Sequence, residues 1–264
     1  MYKRQVETLT KKPKLNKPIL VEGLPGIGNV GKVVVDFLLD ELKAKKLLTF
    51  NSPSFPHSVF INEQNLIELP SINIYYKKSN GKRPDLLFLA GDIQPIDEVS
   101  CHEFSEKVLD VFEDFNGKEI ITLGGIGLSS IPKKPKVYCT GNSLGLIRKY
   151  SRGVKFETRL YGTVGHIVGV SGLLLGLAKR RNIQAISFLA ETYGHPFYLG
   201  IRGAREILKI INKKLNLDIN IKSLEQEIKL IEREVTKRIE GVSELTKQFS
   251  QLKSNIRKDI TYIG

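Results

Sequence analysis

Apolar positions along the chain fall into short unbroken runs separated by stretches of helical period. Pro18-Ile19-Leu20-Val21-Glu22-Gly23 is an apolar run closed by glycine and predicts a buried strand. After the loop Leu24-Pro25-Gly26-Ile27-Gly28-Asn29, residues Val30, Val33, Val34, Phe37, Leu38 and Leu42 recur at helical spacing. Short strands are expected at 47–50, 59–61, 66–69 and 72–76, divided by Pro53, Pro56 and Pro70, as in an antiparallel section or meander. Residues 85–91 are continuously apolar after Asp85, the pattern of a parallel strand buried on both faces. A helix over 99–115 would turn Phe104, Val108, Val111, Phe112 and Phe115 inward. Beyond it the pattern predicts a strand over 119–123 closed by Gly124-Gly125, then strands over 137–140 and 156–160. A helix over 166–181, a buried strand over 183–190 and a helix over 198–215 follow. The polar, lysine-rich residues 1–17 read as an edge strand or a loose arm. Strands alternating with helices predict an α/β fold, a largely parallel or mixed sheet flanked by helices.

The pattern changes near residue 221. Leu224, Ile228, Ile231, Val235, Val242, Leu245, Phe249, Leu252 and Ile256 form a heptad-like stripe, with Arg238 at the one missing position and Gly241 near the middle. This predicts an α/β domain over 1–220 and a C-terminal long-helix extension with a tail over 221–264. The extension reads either as helix packed on its own domain or as an intersubunit helix.

Length and composition narrow the function classes. A chain of 264 residues holds one large α/β domain, or a core with an appendage. Its longest apolar stretch, residues 168–178, falls well short of the roughly 18 residues of a membrane span. The first residues, Met1-Tyr2-Lys3-Arg4-Gln5, lack the apolar segment of a signal peptide, so a cytoplasmic location and no membrane partner are expected. Cys101 and Cys139 have no C-x-x-C spacing, and the histidines His57, His102, His166 and His195 have no metal-ligand spacing. Two buried thiols and no metal are expected. The net charge of +13 is dispersed in small groups such as Lys45-Lys46 and Lys133-Lys134, without interleaved aromatics. It reads as the charged surface of a heat-adapted protein, not a nucleic-acid interface, and is compatible with an acidic protein partner.

The glycine loop carries the candidate chemistry. Gly26-Ile27-Gly28-Asn29-Val30-Gly31 spells G-x-G-x-x-G between a strand and a helix, where a dinucleotide fold places pyrophosphate on a helix N-terminus. That fold needs an acidic residue about 20 positions on for the ribose. Here the second strand ends Leu47-Leu48-Thr49-Phe50-Asn51, with no carboxylate. Read as a P-loop, Gly26, Gly31 and Lys32 fit, but Val33 stands where Ser or Thr holds magnesium. Each motif fails at the residue that does the chemistry. Gly23, Pro25, Gly26, Gly28 and Gly31 are therefore expected to form a structural loop, with no cofactor. Gly124 to Ser130 offers backbone donors for an anion but no nucleophile elbow, and Glu191 ends an apolar strand as a lone carboxylate.

The stretch from Pro18 through Gly31 resembles the opening signature of the archaeal proteasome-assembly-chaperone family. Val170-Ser171-Gly172-Leu173-Leu174-Leu175-Gly176 is similar to its second signature. Leu189-Ala190-Glu191-Thr192 with Gly194 and Pro196 is similar to its third, and Gly203-Ala204-Arg205-Glu206-Ile207-Leu208 to the helix after it. The resemblance spans residues 18 to about 215. It implies a core akin to the nucleoside-phosphorylase fold without enzymatic activity, homo-oligomers, and contact with proteasome α subunits or the core particle. Some members carry a hydrophobic–tyrosine–any-residue tail that inserts between α subunits. By that resemblance Ile260, Tyr262, Ile263 and Gly264 are the candidate partner-binding residues, with the tyrosine third from the end instead of second. The alternative is a nucleotide- or nucleoside-dependent enzyme, a ligase or phosphorylase relative, using the Gly26–Gly31 loop.

Overall fold

The computed structural model describes residues 5–8 and 12–221 apart from 80, 82, 158, 159, 161, 163 and 197. The heptad-like stripe and the tail residues Ile260, Tyr262, Ile263 and Gly264 lie outside the described residues.

The chain enters through β1 (Gln5–Thr8), the edge strand left open by the sequence. The buried strand β2 (Ile19–Gly23) leads through a single 3-10 turn at Ile27–Asn29 into α1 (Val30–Leu42). Strand β3 (Lys45–Asn51) precedes a separate hairpin, β4 (Phe60–Ile61) with β5 (Ile67–Glu68). Then come β6 (Ile72–Lys77), β7 (Leu86–Gly91), α2 (Glu98–Asp114) and β8 (Glu119–Leu128). The chain continues through β9 (Val137–Gly141), α3 (Leu144–Ser151), α4 (Val170–Arg180), β10 (Gln184–Tyr193) and α5 (Ile201–Leu215).

Eight strands form one sheet in the order β1-β3-β6-β7-β2-β8-β10-β9. The centre, β7, β2, β8 and β10, is parallel, and the flanking strands run antiparallel. The sheet is thus mixed. Side-chain alternation splits the core into two layers. Val21, Phe88, Ile121 and Phe188 pack under α1, α3 and α5, whereas Leu20, Leu87, Leu89 and Ile120 pack under α2 and α4. The continuous apolar character of the central strands follows from this burial on both faces.

Three sequence expectations need correction, and one helix escaped the sequence reading. Strand β8 does not close at Gly124-Gly125 but runs on to Leu128, because ten residues of β10 pair with it in parallel register. The expected strand over 156–160 is reduced, among its described residues, to one bridge between Tyr138 and Glu157. Helix α4 begins at Val170, not at His166: Gly169 has a φ of +83°, and the Val170 N–H donates to Gln94 Oε1 at 3.3 Å. A side chain far away in sequence therefore sets where this helix starts. Helix α3 was not anticipated, although its start is local: the Ser143 side chain accepts from the Leu146 N–H, and Leu146 and Tyr150 are buried.

Cys101 is buried and Cys139 part-buried, and both are free thiols. Among the described residues no helix is long and apolar enough to cross a membrane, and no group of three or more His, Cys, Asp or Glu is placed to hold a metal.

Candidate functional site: the carboxyl edge of the parallel strands

In open α/β sheets ligands bind beyond the carboxyl ends of the strands, where successive helices leave for opposite faces. Here that edge carries the glycine loop after β2, the turn after β7, and the ends of β8 and β10.

The loop closes onto protein. Gly31 lies in the first turn of α1 with its backbone against β8. A Cβ there would sit 2.5 Å from the Leu123 carbonyl oxygen, and one at Gly23 would overlap the Gly31 carbonyl. Gly28 has a φ of +61°, which L side chains adopt only with strain, and a Cβ would meet Thr192 Oγ1 at 2.6 Å. The Gly28 carbonyl accepts from the Gly200 N–H at 2.7 Å, joining the loop to the start of α5. Pro25, half-buried, accepts from Gln94 Nε2 at 2.7 Å through its carbonyl. Gly26 is exposed, with nothing within 4 Å of a built Cβ. Thr192 of β10 and Gly200, just before α5, pack against Gly28 of this loop.

Lys32, in the first turn of α1, reaches the end of β7. Its ammonium donates to the Gly91 carbonyl at 3.2 Å and lies 3.0 Å from Asp36 and 3.8 Å from Asp92. Burial raises the Asp36 carboxyl above its usual range, and the Lys32 charge opposes that rise. The lysine that a phosphate-binding loop would aim at its ligand is thus held by its own chain.

A second polar feature was not visible in sequence. Glu22, in the middle of the first apolar run, is fully buried. In register beside it lies Thr122 of β8, beside that Ser187 of β10, and beside that Thr140 of β9. Parallel register puts the first three on one face, the face covered by α2 and α4. Glu22 Oε1 accepts from the Leu24 N–H at 3.0 Å. Glu22 Oε2, Thr122 Oγ1 and Ser187 Oγ are buried without a hydrogen-bond partner. Desolvation pushes the Glu22 carboxyl up to about 7, opposed by the backbone at Leu24, the Ser171 hydroxyl and the backbone at Leu123. Burial thus keeps the Glu22 carboxyl largely protonated at pH values below about 7. Facing it from α2, the Cys101 thiol is also raised, by burial and by the carboxylates Asp97 and Glu22.

The remaining candidates separate. Glu191 accepts from the Lys136 N–H at 2.9 Å and the Tyr138 hydroxyl at 3.1 Å, so it ties β10 to β9 and the loop before it. His195 stacks on Tyr193, with ring centroids 5.5 Å apart.

Comparison with known proteins agrees with this architecture. The chain is similar to the uncharacterized protein MJ1210 of Methanocaldococcus jannaschii, 29% identical over 264 residues that cover 98% of each chain. Its structure is similar to the crystal structure of Pyrococcus furiosus PbaB, described as an archaeal proteasome activator. The TM-score is 0.82 at 34% identity, covering 91% of this chain and all of that one. Pyrococcus furiosus PbaA, described as an archaeal homolog of proteasome-assembly chaperone, matches in fold with a TM-score of 0.72 at 24% identity, over 95% of this chain and 98% of that one. The PAC2 family model matches residues 20–239, most of the chain and every element from β2 to α5, so this protein belongs to the PAC2 family.

Proposed function

We propose that this protein binds the proteasome core particle or its α subunits as an assembly chaperone or associated factor, without nucleotide chemistry. The observation that carries the reading is the closed glycine loop. Gly28 and Gly31 are in contact with Thr192, Gly200 and Leu123, and Lys32 is engaged by Gly91, Asp36 and Asp92. On this reading Gly23, Pro25, Gly26, Gly28 and Gly31 are a structural loop that fastens α1 and α5 to the sheet. Likeness to PbaB over the whole of that chain supports the class of partner. The contact to the proteasome falls to Ile260, Tyr262, Ile263 and Gly264. Peptide segments of this kind are held through pockets for apolar side chains, and tyrosine buries its ring while its hydroxyl keeps a hydrogen bond. The protein acts in the cytoplasm as a homo-oligomer, with the 221–264 extension carrying the tail.

The test is capture of purified α subunits by the full chain, by a chain lacking residues 260–264, and by Tyr262→Ala. Both variants are expected to capture at least tenfold less with their own oligomeric mass unchanged. Equal capture by all three removes the tail from the reading, and no capture by the full chain removes the proteasome. The enzyme alternative has its own readout. A ligand that binds only the folded state raises the unfolding midpoint, so ATP, GTP and nucleosides are expected to leave the midpoint unmoved. A rise that Lys32→Ala abolishes would restore the enzyme.

A further inference from the structure

The opposite edge of the sheet holds a basic crevice. It lies between the amino ends of β2, β7 and β8 and the C-terminal ends of α1, α3 and α5. Two adjoining hollows of about 190 and 340 Å³ make it up, and they share Arg83, Pro84, Leu215 and Asn216. Half-buried Leu42, Pro84, Leu215 and Leu217 give it aliphatic walls. Lys77, Lys78, Arg83, Lys118, Lys149 and Lys214 line it with cations. Among the described residues that line it, Glu119 is the one acid.

The fold compensates these cations only in part. Lys77 donates to the Leu42 carbonyl, Arg83 to that of Asn216, and Lys214 to those of Lys149 and Arg152. These carbonyls stand at the ends of α1, α5 and α3, where a helix carries the equivalent of about half a negative charge. Buried Glu119 holds the Lys149 ammonium at 2.7 Å and accepts from the Tyr150 hydroxyl at 2.6 Å. The Asp85 carboxylate, next to the crevice, accepts from the Asn16 and Ser79 N–H groups. Three helix ends and two carboxylates leave roughly two to three positive charges unmatched. Burial, and then the charges of Lys213, Arg152 and Lys149, lower the Lys214 ammonium below its usual range. On the far side of the sheet the fold matches its cation fully, with Arg181 held by Glu106, Asp110 and Glu113.

We propose that this crevice docks an acidic polypeptide segment of a partner protein, one that intersperses carboxylates with aliphatic side chains. The carboxylates face the cations that the fold leaves unmatched, and the aliphatic side chains rest on Leu42, Leu215 and Leu217. Opposite charge steers the encounter and sets the register, while the aliphatic contact removes apolar wall from water. A nucleic acid suits these walls poorly. Single strands are held by stacking bases on aromatic side chains. The aromatic residue here, Tyr150, is 2% exposed and has its hydroxyl on Glu119.

The probe is a short fluorescein-labelled peptide of glutamates and leucines, whose anisotropy reports binding to the purified full chain. It carries no proteasome sequence, so the outcome is independent of the contact proposed with the core particle. The peptide is expected to bind about tenfold or more tightly than versions with glutamine for glutamate or serine for leucine. Lys78 and Lys118 are exposed, one in each hollow. Lys78→Glu with Lys118→Glu is expected to weaken binding by about tenfold or more, and Lys78→Gln with Lys118→Gln by less, with unfolding midpoints unchanged. Lys133→Glu with Lys134→Glu makes an equal change of charge on the loop between β8 and β9 and is expected to leave binding as it was. A wild-type chain that does not bind, a glutamine or serine peptide that binds equally, or crevice variants without effect would overturn the proposal. Equal loss in the two reversals would overturn it too, by assigning binding to net charge alone. So would single-stranded RNA of the same charge that binds as tightly and depends on Lys78 and Lys118.

Discussion

Gly31→Ala is expected to destabilise the domain by about 3 kcal/mol, although alanine is the better helix former by about 1 kcal/mol. Gly31 sits in the first turn of α1, and the added Cβ would lie 2.5 Å from the Leu123 carbonyl oxygen in β8. Leu123 is in register with Phe188 of β10, which holds its backbone in place on that side. Relief must come from α1, whose Val30, Val34, Val35 and Leu38 are buried in the layer it shares with α5. Gly26→Ala is the control. Its φ of −161° is open to any residue and nothing lies near its Cβ, so a change within about 0.5 kcal/mol is expected. Guanidinium unfolding of the two variants measures the difference. Equal midpoints would mean that the loop does not pack on β8 as described, and would reopen the space for a phosphate.

Glu22→Gln is expected to stabilise the protein at pH 8 by on the order of 3 kcal/mol and to have little effect at pH 4.5. In the folded state the carboxyl titrates at about 7, against 4.5 for the ordinary group. Folded protein therefore holds the proton over a range in which unfolded chain has released it. The stability held below pH 4.5 falls as pH rises towards 7 and stays lost above it. Glutamine keeps an acceptor for the Leu24 N–H and removes the charge that must be desolvated. Thermal or denaturant midpoints of both proteins at the two pH values provide the comparison. An equal change at both would show that Glu22 does not titrate in this interval. A loss of stability at pH 8 would show that the carboxylate is paired in a way its unpartnered Oε2 does not suggest.

Most of the architecture was readable from local pattern. The continuous apolar runs became β2, β7, β8 and β10 because strands buried on both faces need no polar alternation. The helical spacing of Val30, Val34 and Leu38, and of Phe104, Val108 and Phe112, marked the faces that α1 and α2 turn to the core. The prolines between residues 50 and 71 divide the short strands of the antiparallel side, from β3 through the β4–β5 hairpin to β6. Helix α3 was legible in principle, since Ser143 before Leu146, Ile147 and Tyr150 is an N-cap followed by helical spacing, but eight residues make a weak period.

Sequence by itself determined most of the strands and helices, and which of their faces are apolar, because those depend on the period of neighbouring side chains. It also showed that the glycine motif lacks a magnesium-binding hydroxyl and a ribose carboxylate. Only the tertiary structure decided where α4 starts, how far β8 runs, what fills the glycine loop and what Lys32 touches. Gln94 is 76 residues from the Val170 N–H it receives, and Gly200 reaches back to a carbonyl at Gly28. The unusual carboxyl of Glu22 has the same origin. Its neighbours in sequence announce a buried strand, but the strength of its desolvation depends on β8, α2 and α4 closing over it, and chain period does not encode that closure.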